Sequence, residues 1–344
     1  SGAALARMLA EQDRRVVVLE ATEAPGGTLK HVPGLALLGT PYPAVPYSQA
    51  RNIAGTLALW RLSYENLHLL ESALESAGLP LRSVGSQRLA MTAEEARVFQ
   101  QSMAHLKENG YTVAFEENDP ALNALSNRGD AVQYTGVMNT LDDVQFDSEP
   151  LIQHLLDHEN ITVESHTEAY AIKPRPGMGL TIWAHDRYLW ADKVVVANGV
   201  HAVRLNQTFA QTLNFVHVHT LVLKEMPDLP TPLILNRGRV IIASDPDKRS
   251  GYLIAYGPEG TDLLQMLTPV AEQVTPNAVV IDRFSSRVAE SAEPVPWIGT
   301  QPGQPDLYAL IGLGTYGASW AFVAARRLAD MILDDQSPRL QPLD

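Results

Sequence analysis

Two residues near the start of the chain have the type and spacing of a nucleotide-binding site. Gly2 opens a helix-like segment, and Glu20 ends the apolar run Val16-Val17-Val18-Leu19. In a βαβ unit the helix after a glycine-rich turn binds pyrophosphate at its N-terminus, and an acid about 20 residues on accepts bonds from ribose hydroxyls. The strand and the two glycines that precede such a helix are not in this sequence, and we expect residues upstream of Ser1 to supply them.

A second glycine-rich turn lies near the other end of the chain. The predicted strand Leu307–Ile311 leads into Gly312-Leu313-Gly314-Thr315-Tyr316-Gly317, which we expect to open a helix that runs to about Leu333. Glycines let a backbone approach a flat ligand closely, and a helix N-terminus stabilises negative charge. A glycine that opens a helix therefore occurs at both ends of the chain, as in sites for phosphate-bearing ligands, although at the N-terminal end the preceding strand is not in this sequence.

Composition narrows the class of function. The chain has 344 residues, a net charge of −13 and no cysteine. Disulfides, thiolate metal sites and cysteine nucleophiles are thereby excluded, and the acidic charge argues against a nucleic-acid partner. No apolar run is long enough to span a membrane, and we expect a cytoplasmic protein. His217 and His219 alternate on a predicted strand as metal ligands can, but no third ligand is evident, so we predict no metal site.

The order of helical and extended segments predicts the fold. Helices are expected over Ser48–Ala77, Ala93–Asn109 and Glu149–Asp157, and strand-rich sequence fills residues 205–285. We predict an α/β (α+β) fold in which a Rossmann-like dinucleotide-binding domain is interleaved with a β-rich substrate domain. The first would comprise residues 1–50, 146–204 and 292–344, and the second residues 51–145 and 205–291.

Several short segments, taken in order, resemble the D-amino-acid oxidase-like family of FAD-dependent oxidoreductases, which includes enzymes that oxidise glycine, sarcosine and dimethylglycine. The resemblance covers nearly the whole chain. Each segment is short and degenerate and is weak evidence by itself. The order in which the segments follow one another is specific to the family. The segments are Ser1–Ala6, Val18–Ala21, Gly85–Leu89, Phe146–Leu151, Val195–Gly199, Pro296–Gly299 and Leu307–Gly317.

The resemblance implies FAD as the cofactor and assigns residues to it. The ADP half would contact Ser1, Gly2, Glu20, Ala21, Ala169, Ala197, Asn198 and Gly199. The pyrophosphate or the flavin would contact Gly26, Gly27 and Thr28, and the flavin ring Gly312, Gly314, Thr315 and Gly317. His31 lies where dimethylglycine-type dehydrogenases attach the flavin covalently through a histidine, so either a covalent or a noncovalent flavin is compatible with the sequence.

The resemblance also implies which residues lie on the substrate side of the flavin. Arg287 precedes the segment Pro296-Trp297-Ile298-Gly299, as does the family arginine that pairs with a substrate carboxylate, although the interval is one residue longer and Val288 replaces the usual proline. Tyr252, Tyr256 and Tyr316 belong to segments that line the substrate side of the flavin in relatives. Leu253 stands where sarcosine-oxidising relatives carry an oxygen-activating lysine, so the electron acceptor is expected to be either oxygen or another molecule.

The activity implied is oxidation of the C–N bond of an amino acid or N-alkyl amino acid, by hydride transfer from the substrate α-carbon to flavin N5. Water would then hydrolyse the imine. The expected partners are a small-molecule amine or amino acid and an electron acceptor. Two alternatives remain open: a flavin-dependent domain that modifies an aminomethyl uridine of tRNA, and a non-catalytic FAD-fold subunit of a larger complex.

Overall fold

The computed structural model describes residues 1–23, 32–39, 41, 43–45, 52–175, 177–185, 187–226, 229–245, 250–274, 277–292 and 295–334. These residues form eight α-helices and 19 strands. The helices are α1 (Gly2–Ala10), α2 (Ile53–Ser76), α3 (Ala93–Glu108), α4 (Pro120–Ser126), α5 (Ser148–Leu156), α6 (Ala202–Leu205), α7 (Leu263–Val274) and α8 (Ala321–Asp334).

The strands fall into one large sheet and four small ones. They are β1 (Val16–Leu19), β2 (Gly34–Ala36), β3 (Arg82–Ser83), β4 (Ser86–Ala90), β5 (Val113–Glu116), β6 (Gly136–Thr140), β7 (Val144–Phe146), β8 (Ile161–Glu164), β9 (Ala169–Pro174), β10 (Leu180–Ala184), β11 (Tyr188–Ala191), β12 (Val194–Val196), β13 (Leu213–Lys224), β14 (Leu233–Leu235), β15 (Val240–Asp245), β16 (Ser250–Pro258), β17 (Val279–Ser291), β18 (Trp297–Gln301) and β19 (Gln304–Ile311). The α/β fold class predicted from the sequence is confirmed.

Local sequence explains where the helices begin. The Asn52 side chain accepts a hydrogen bond from Gly55 N at 2.7 Å and caps α2. Thr92 caps α3 by accepting from Glu95 N, and the Glu95 side chain accepts from the N–H of Met91, the residue before the cap. These caps explain why the predicted helices exist, since each one satisfies backbone N–H groups that the first helical turn leaves free.

The large sheet has the order β17-β13-β16-β15-β14-β4-β6-β5, and within it only the β14–β4 pair is parallel. Its strands come from residues 86–140 and 213–291, which lie inside the segments predicted for the substrate domain. The domain boundaries themselves remain a prediction. Side chains alternate between the two faces of the sheet, so that one face packs against α4 and α7 and the other against α2 and the C-terminal glycine turn.

The strands of the predicted dinucleotide-binding domain form two smaller parallel pairs. β1 runs parallel to β8, and β12 runs parallel to β19, whose other neighbour is the antiparallel β18. α1, α5 and α8 cover these strands and share one apolar core with α2 and α3. In the part of the chain that the structure describes, no helix combines the length and apolar character needed to cross a bilayer.

Candidate active site

The N-terminus of α1 lies against the end of β12. A Cβ atom added to Gly2 would come within 3.3 Å of the Ala197 Cβ, so a side chain there would fit only if Ala197 moved slightly. Asn198 follows, and Gly199 begins a short 3-10 turn with a φ of 58°. The first backbone N–H groups of a helix lack intrahelical partners, and the Ser1 side chain makes no capping bond. The structure thus brings Gly2 and Ala197 together and leaves N–H donors for an anion.

Glu20 lies at the carboxyl end of β1, where the predicted ribose-binding acid should be. Its Oε1 accepts bonds from both Thr22 N and Thr22 Oγ1 at 2.8 Å, and its carbonyl accepts from Thr167 N at 2.8 Å. Within the described residues its Oε2 accepts no hydrogen bond. Ala21 is exposed beside it, and Ala169 begins β9 two residues after Thr167. A free carboxylate oxygen and a helix N-terminus are the acceptor and donors that an ADP group requires, so this end of the molecule fits the cofactor.

Part of the predicted cofactor site lies outside the described residues. Gly26, Gly27, Thr28 and His31 belong to the segment 24–31, whose structure is not described. The covalent or noncovalent nature of the flavin attachment therefore stays a prediction from the sequence.

The C-terminal glycine turn packs tightly against β17. Gly312 and Gly314 have φ values of 75° and 67°, and their backbones bond to Ser291 N and Ala289 O at 3.0 and 2.9 Å. An added Cβ would lie 2.7 Å from Ser291 N at Gly312 and 2.8 Å from Glu290 Cγ at Gly314. Glycine is required here by the neighbouring strand, and contact of these residues with a flavin ring remains a prediction.

The rest of this turn is also held by protein groups. Thr315 Oγ1 donates to Glu290 Oε1 at 3.1 Å. Gly317, unlike Gly312 and Gly314, has room for a side chain, because an added Cβ would meet only Leu313 Cβ at an ordinary 3.5 Å.

The last helix begins later than the sequence indicated. The turn was expected to open it directly, but residues Gly317–Ser319 form a 3-10 turn and α8 starts at Ala321. The physical reason lies in α2, where the Asn66 side chain accepts bonds from Phe322 N and Val323 N at 2.8 and 3.2 Å. A buried amide from another helix therefore caps α8 and takes two of the N–H groups that had been expected to face the cofactor.

The three predicted tyrosines meet on one face of the large sheet. Tyr252 and Tyr256 point to the same side of β16 and pack in one apolar cluster with Tyr316, whose ring centroid lies 6.0 Å from that of Tyr256. Burial raises the pKa of Tyr256, and the charge of Glu290 adds to the shift. Tyr316 Oη donates to the carbonyl of Gly238. The cluster thus places three tyrosine rings beside the C-terminal glycine turn.

Arg287 and Leu253 lie away from this cluster. The Arg287 guanidinium is exposed and stacks on Phe215, with Cζ 5.0 Å from the ring centroid, whereas the adjacent Val288 packs against the tyrosine cluster. Leu253 is fully buried on the opposite face of β16, in the core that includes α7. The structure therefore does not bring Arg287 to the tyrosines, and its role in carboxylate binding remains a prediction.

The histidine pair on β13 is held by protein groups. His219 Nδ1 lies 2.6 Å from Ser285 Oγ, and His217 Nε2 lies 3.7 Å from Glu259 Oε1. Burial, with the nearby Arg283 charge, lowers the pKa of His219. Among the described residues no cluster of three potential metal ligands occurs.

One buried cation near the tyrosines was not assigned a role from the sequence. Arg88 is 4% exposed and lies opposite Ile234 in the parallel β4–β14 pair. Its Nη2 donates to the Leu38 carbonyl, and its Cζ lies 5.3 Å from the centroid of Trp60. Its strand, Ser86-Gln87-Arg88-Leu89-Ala90, mixes polar and apolar residues, so the sequence gives no clear signal of its burial, which depends on the sheet register.

Asp143 lies close enough to Arg88 to balance its charge. It is fully buried, accepts bonds from Leu38 N at 2.7 Å and from the Ser86 hydroxyl, and makes no direct hydrogen bond to Arg88. Burial raises the pKa of Asp143 to about 6, while the charge of Arg88 and both hydrogen bonds act in the opposite direction.

The family model described as FAD dependent oxidoreductase (DAO) matches residues 1–331. A search of curated protein sequences finds no match to the chain.

Several solved structures share the fold. Glycine oxidase from Geobacillus kaustophilus is 19% identical with a TM-score of 0.77, over 98% of this chain and 93% of that one. Iminodiacetate oxidase from a Chelativorans species is 18% identical with a TM-score of 0.73, over 100% and 95%. An L-amino acid deaminase from Proteus vulgaris, lacking its specific insertion sequence, is 16% identical with a TM-score of 0.77, over 99% and 89%. At these identities the likeness establishes the fold.

Proposed function

Because the chain belongs to the DAO family of FAD-dependent oxidoreductases, we propose that it oxidises the C–N bond of an amino acid or an N-alkyl amino acid. Membership of this family makes it an FAD-dependent oxidoreductase, and it agrees with the resemblance seen in the sequence. The narrower substrate class is our inference. It is supported by structural neighbours that include an oxidase of glycine, an oxidase of iminodiacetate and a deaminase of L-amino acids.

The observation that carries the proposal is the tyrosine cluster. Tyr252, Tyr256 and Tyr316 share one face of the large sheet beside the glycine turn that ends β19. Apolar surroundings with a few polar groups are typical of small-molecule sites. With its pKa raised, Tyr256 keeps its proton at physiological pH. It can therefore donate a hydrogen bond to a substrate oxygen but cannot act as a base.

The residues that would hold FAD lie at the carboxyl ends of the parallel strands. Glu20 would accept the ribose hydroxyls, and the N-terminus of α1 at Gly2 would bind the pyrophosphate. FAD, when bound, would supply the oxidising power as the two-electron acceptor. The protein's own task is to hold the α-C–H bond in position and exclude water, and no strong base is needed when the amine binds in its neutral form.

The proposal is tested by anaerobic titration of the flavin-loaded protein with a panel of glycine, N-methylglycine, larger amino acids, the matching amines without a carboxylate and an aminomethyl uridine. We expect at least one amino acid to bleach the flavin absorption and to release a carbonyl product. Bleaching by the amines alone would contradict the substrate class. Bleaching by an aminomethyl uridine only, or by no compound in a properly flavin-loaded protein, would favour the tRNA-modifying and the non-catalytic alternatives respectively.

We further propose that an acceptor other than oxygen takes the electrons. Tyr252, Ile254 and Tyr256 form the tyrosine face of β16, and this strand contains no lysine on either face. Reoxidation of the reduced protein should therefore be slow with dissolved oxygen and fast with an artificial electron acceptor, measured by stopped-flow absorption. Equal rates with both would contradict this proposal.

A further inference from the structure

One side of the small sheet β11-β10-β9 carries a row of aromatic rings that faces solvent. Trp183 on β10 lies opposite Tyr188 on β11, and Trp190 follows Tyr188 on the same side of that strand. The ring centroids of Trp183 and Tyr188 are 5.8 Å apart, as are those of Tyr188 and Trp190. We call these three side chains, together with Lys173 and Arg175, the aromatic face.

The two sides of this sheet differ in burial. Leu180 and Ile182 point to the other side of β10 and are buried. Trp183, Tyr188 and Trp190 are 37%, 58% and 63% exposed. Aromatic side chains present about 150–250 Å² each, so these three together leave roughly 300 Å² of neighbouring surface open to solvent. An exposed patch of this size commonly marks a binding surface.

The polar ends of the three aromatic side chains are also free. Within the described residues, the indole N–H groups of Trp183 and Trp190 and the hydroxyl of Tyr188 form no hydrogen bond with protein. Tryptophan and tyrosine combine an apolar ring with one polar group, and both are enriched at the boundary between a membrane and water. The aromatic face therefore has the chemistry of a surface that meets an apolar phase and water together.

Two cations lie over these rings. Arg175 Cζ is 4.7 Å from the ring centroid of Trp190, and Lys173 Nζ is 5.8 Å from that of Trp183. Neither cation forms an ion pair in the part of the chain that the structure describes, whereas the neighbouring Arg187 is paired with an acid. The aromatic face thus carries two uncompensated positive charges, although the whole chain has a net charge of −13.

The combination of exposed aromatic rings and unpaired cations matches an anionic lipid bilayer. Lysine and arginine are attracted to anionic head groups, while tryptophan and tyrosine rings lie at the level of those head groups. The acidic charges on the rest of the chain oppose the contact only weakly, because physiological salt screens charges that are more than about 8 Å away.

We propose that the aromatic face docks the protein on a bilayer that contains anionic lipids. The contact is peripheral, with the rings at head-group level and the two cations against lipid phosphates. It does not depend on the proposed function, because it involves neither the candidate substrate site nor the chemistry of the flavin.

The cations are tested by co-sedimentation of the flavin-loaded protein with vesicles of phosphatidylcholine alone and of phosphatidylcholine mixed with phosphatidylglycerol. Wild type should bind the anionic vesicles about 25-fold more tightly, because each of two cations contributes about fivefold near an anionic surface. Lys173→Gln combined with Arg175→Gln should abolish this preference. Arg204→Gln, which breaks an exposed ion pair with Glu168, is the matched control and should keep it.

The rings are tested by a second pair of variants. Trp190→Ser should weaken binding to both kinds of vesicle and reduce the blue shift of tryptophan fluorescence that accompanies binding. Tyr64→Ser removes an exposed aromatic side chain of α2 outside the aromatic face and should behave as wild type. Circular dichroism verifies that each variant is folded, and Tyr188→Ser replaces Trp190→Ser if that variant does not fold.

Three results would overturn the inference. They are no sedimentation of wild type with anionic vesicles, equal binding to anionic and neutral vesicles, and unchanged binding in a folded variant that lacks both cations. Analytical ultracentrifugation without vesicles tests a second copy of the chain as the occupant instead. Self-association that Trp190→Ser abolishes, in a protein that binds no vesicles, would assign the aromatic face to a contact between copies and refute the bilayer contact.

Discussion

The side-chain oxygen of Asn66 accepts a hydrogen bond from the backbone N–H of Phe322, 256 residues away in the sequence. The same oxygen accepts from Val323 N, and the Asn66 Nδ2 donates to the Ala318 carbonyl at 2.9 Å. One fully buried amide therefore fixes both the start of α8 and the turn before it. This turn carries Tyr316, so α2 positions a residue of the candidate substrate site.

Replacing Asn66 by alanine should lower the free energy of unfolding by about 2–4 kcal/mol, because it removes a helix cap and leaves buried backbone groups unsatisfied. Denaturant unfolding monitored by circular dichroism measures the change. Asn109→Ala is the control, since Asn109 is exposed and donates only to the His105 carbonyl of its own helix. A loss no larger than that of the control would contradict the capping role.

Gly312→Ala should destabilise the protein by about 3 kcal/mol, because its new Cβ would meet the Ser291 backbone and its φ of 75° disfavours a side chain. Gly110→Ala has a similar φ of 86° but open space around it, so it should cost only about 1 kcal/mol. The difference between the two, measured by thermal unfolding, isolates the steric contact with β17. Equal losses would show that the steric contact with β17 does not contribute to the loss of stability.

Glu20→Ala should weaken FAD binding by about tenfold to a hundredfold, since hydrogen bonds to a charged acceptor are worth about 1.5–3 kcal/mol. Quenching of flavin fluorescence on titration measures the dissociation constant. Glu11→Ala serves as the control, because Glu11 forms only an exposed ion pair with Arg7. Unchanged FAD affinity in Glu20→Ala would exclude the ribose contact.

Asp143 should make the protein less stable as the pH rises. Its pKa is raised from 3.8 to about 6 in the folded state, so between these values the folded protein binds a proton that the unfolded chain has released. Stability from this group is therefore full below pH 3.8 and is lost as the pH rises through about 6. Asp143→Asn should lack this dependence, and a pH-independent difference between the two proteins would refute it.

The sequence predicted those features that depend on local spacing. The distance from Gly2 to Glu20 located a helix N-terminus and a strand-end acid, and Tyr252 and Tyr256 share a face because strand side chains alternate. The start of α8 could not be predicted, because its cap comes from Asn66 on a distant helix. The burial of Arg88 could not be predicted from the sequence either. It follows from the pairing of β4 with β14, whose residues lie far apart in the chain.

That parallel pairing also determines when Arg88 can become buried. Arg88 and Phe99 belong to the first third of the chain, whereas Ile234, Arg237 and Gly238 come from the last third. Such distant partners must pay the entropy of closing a long loop before any contact stabilises them. During synthesis, the Arg88 side chain therefore stays exposed to solvent until more than 140 further residues have emerged, and it becomes buried only as the large sheet closes.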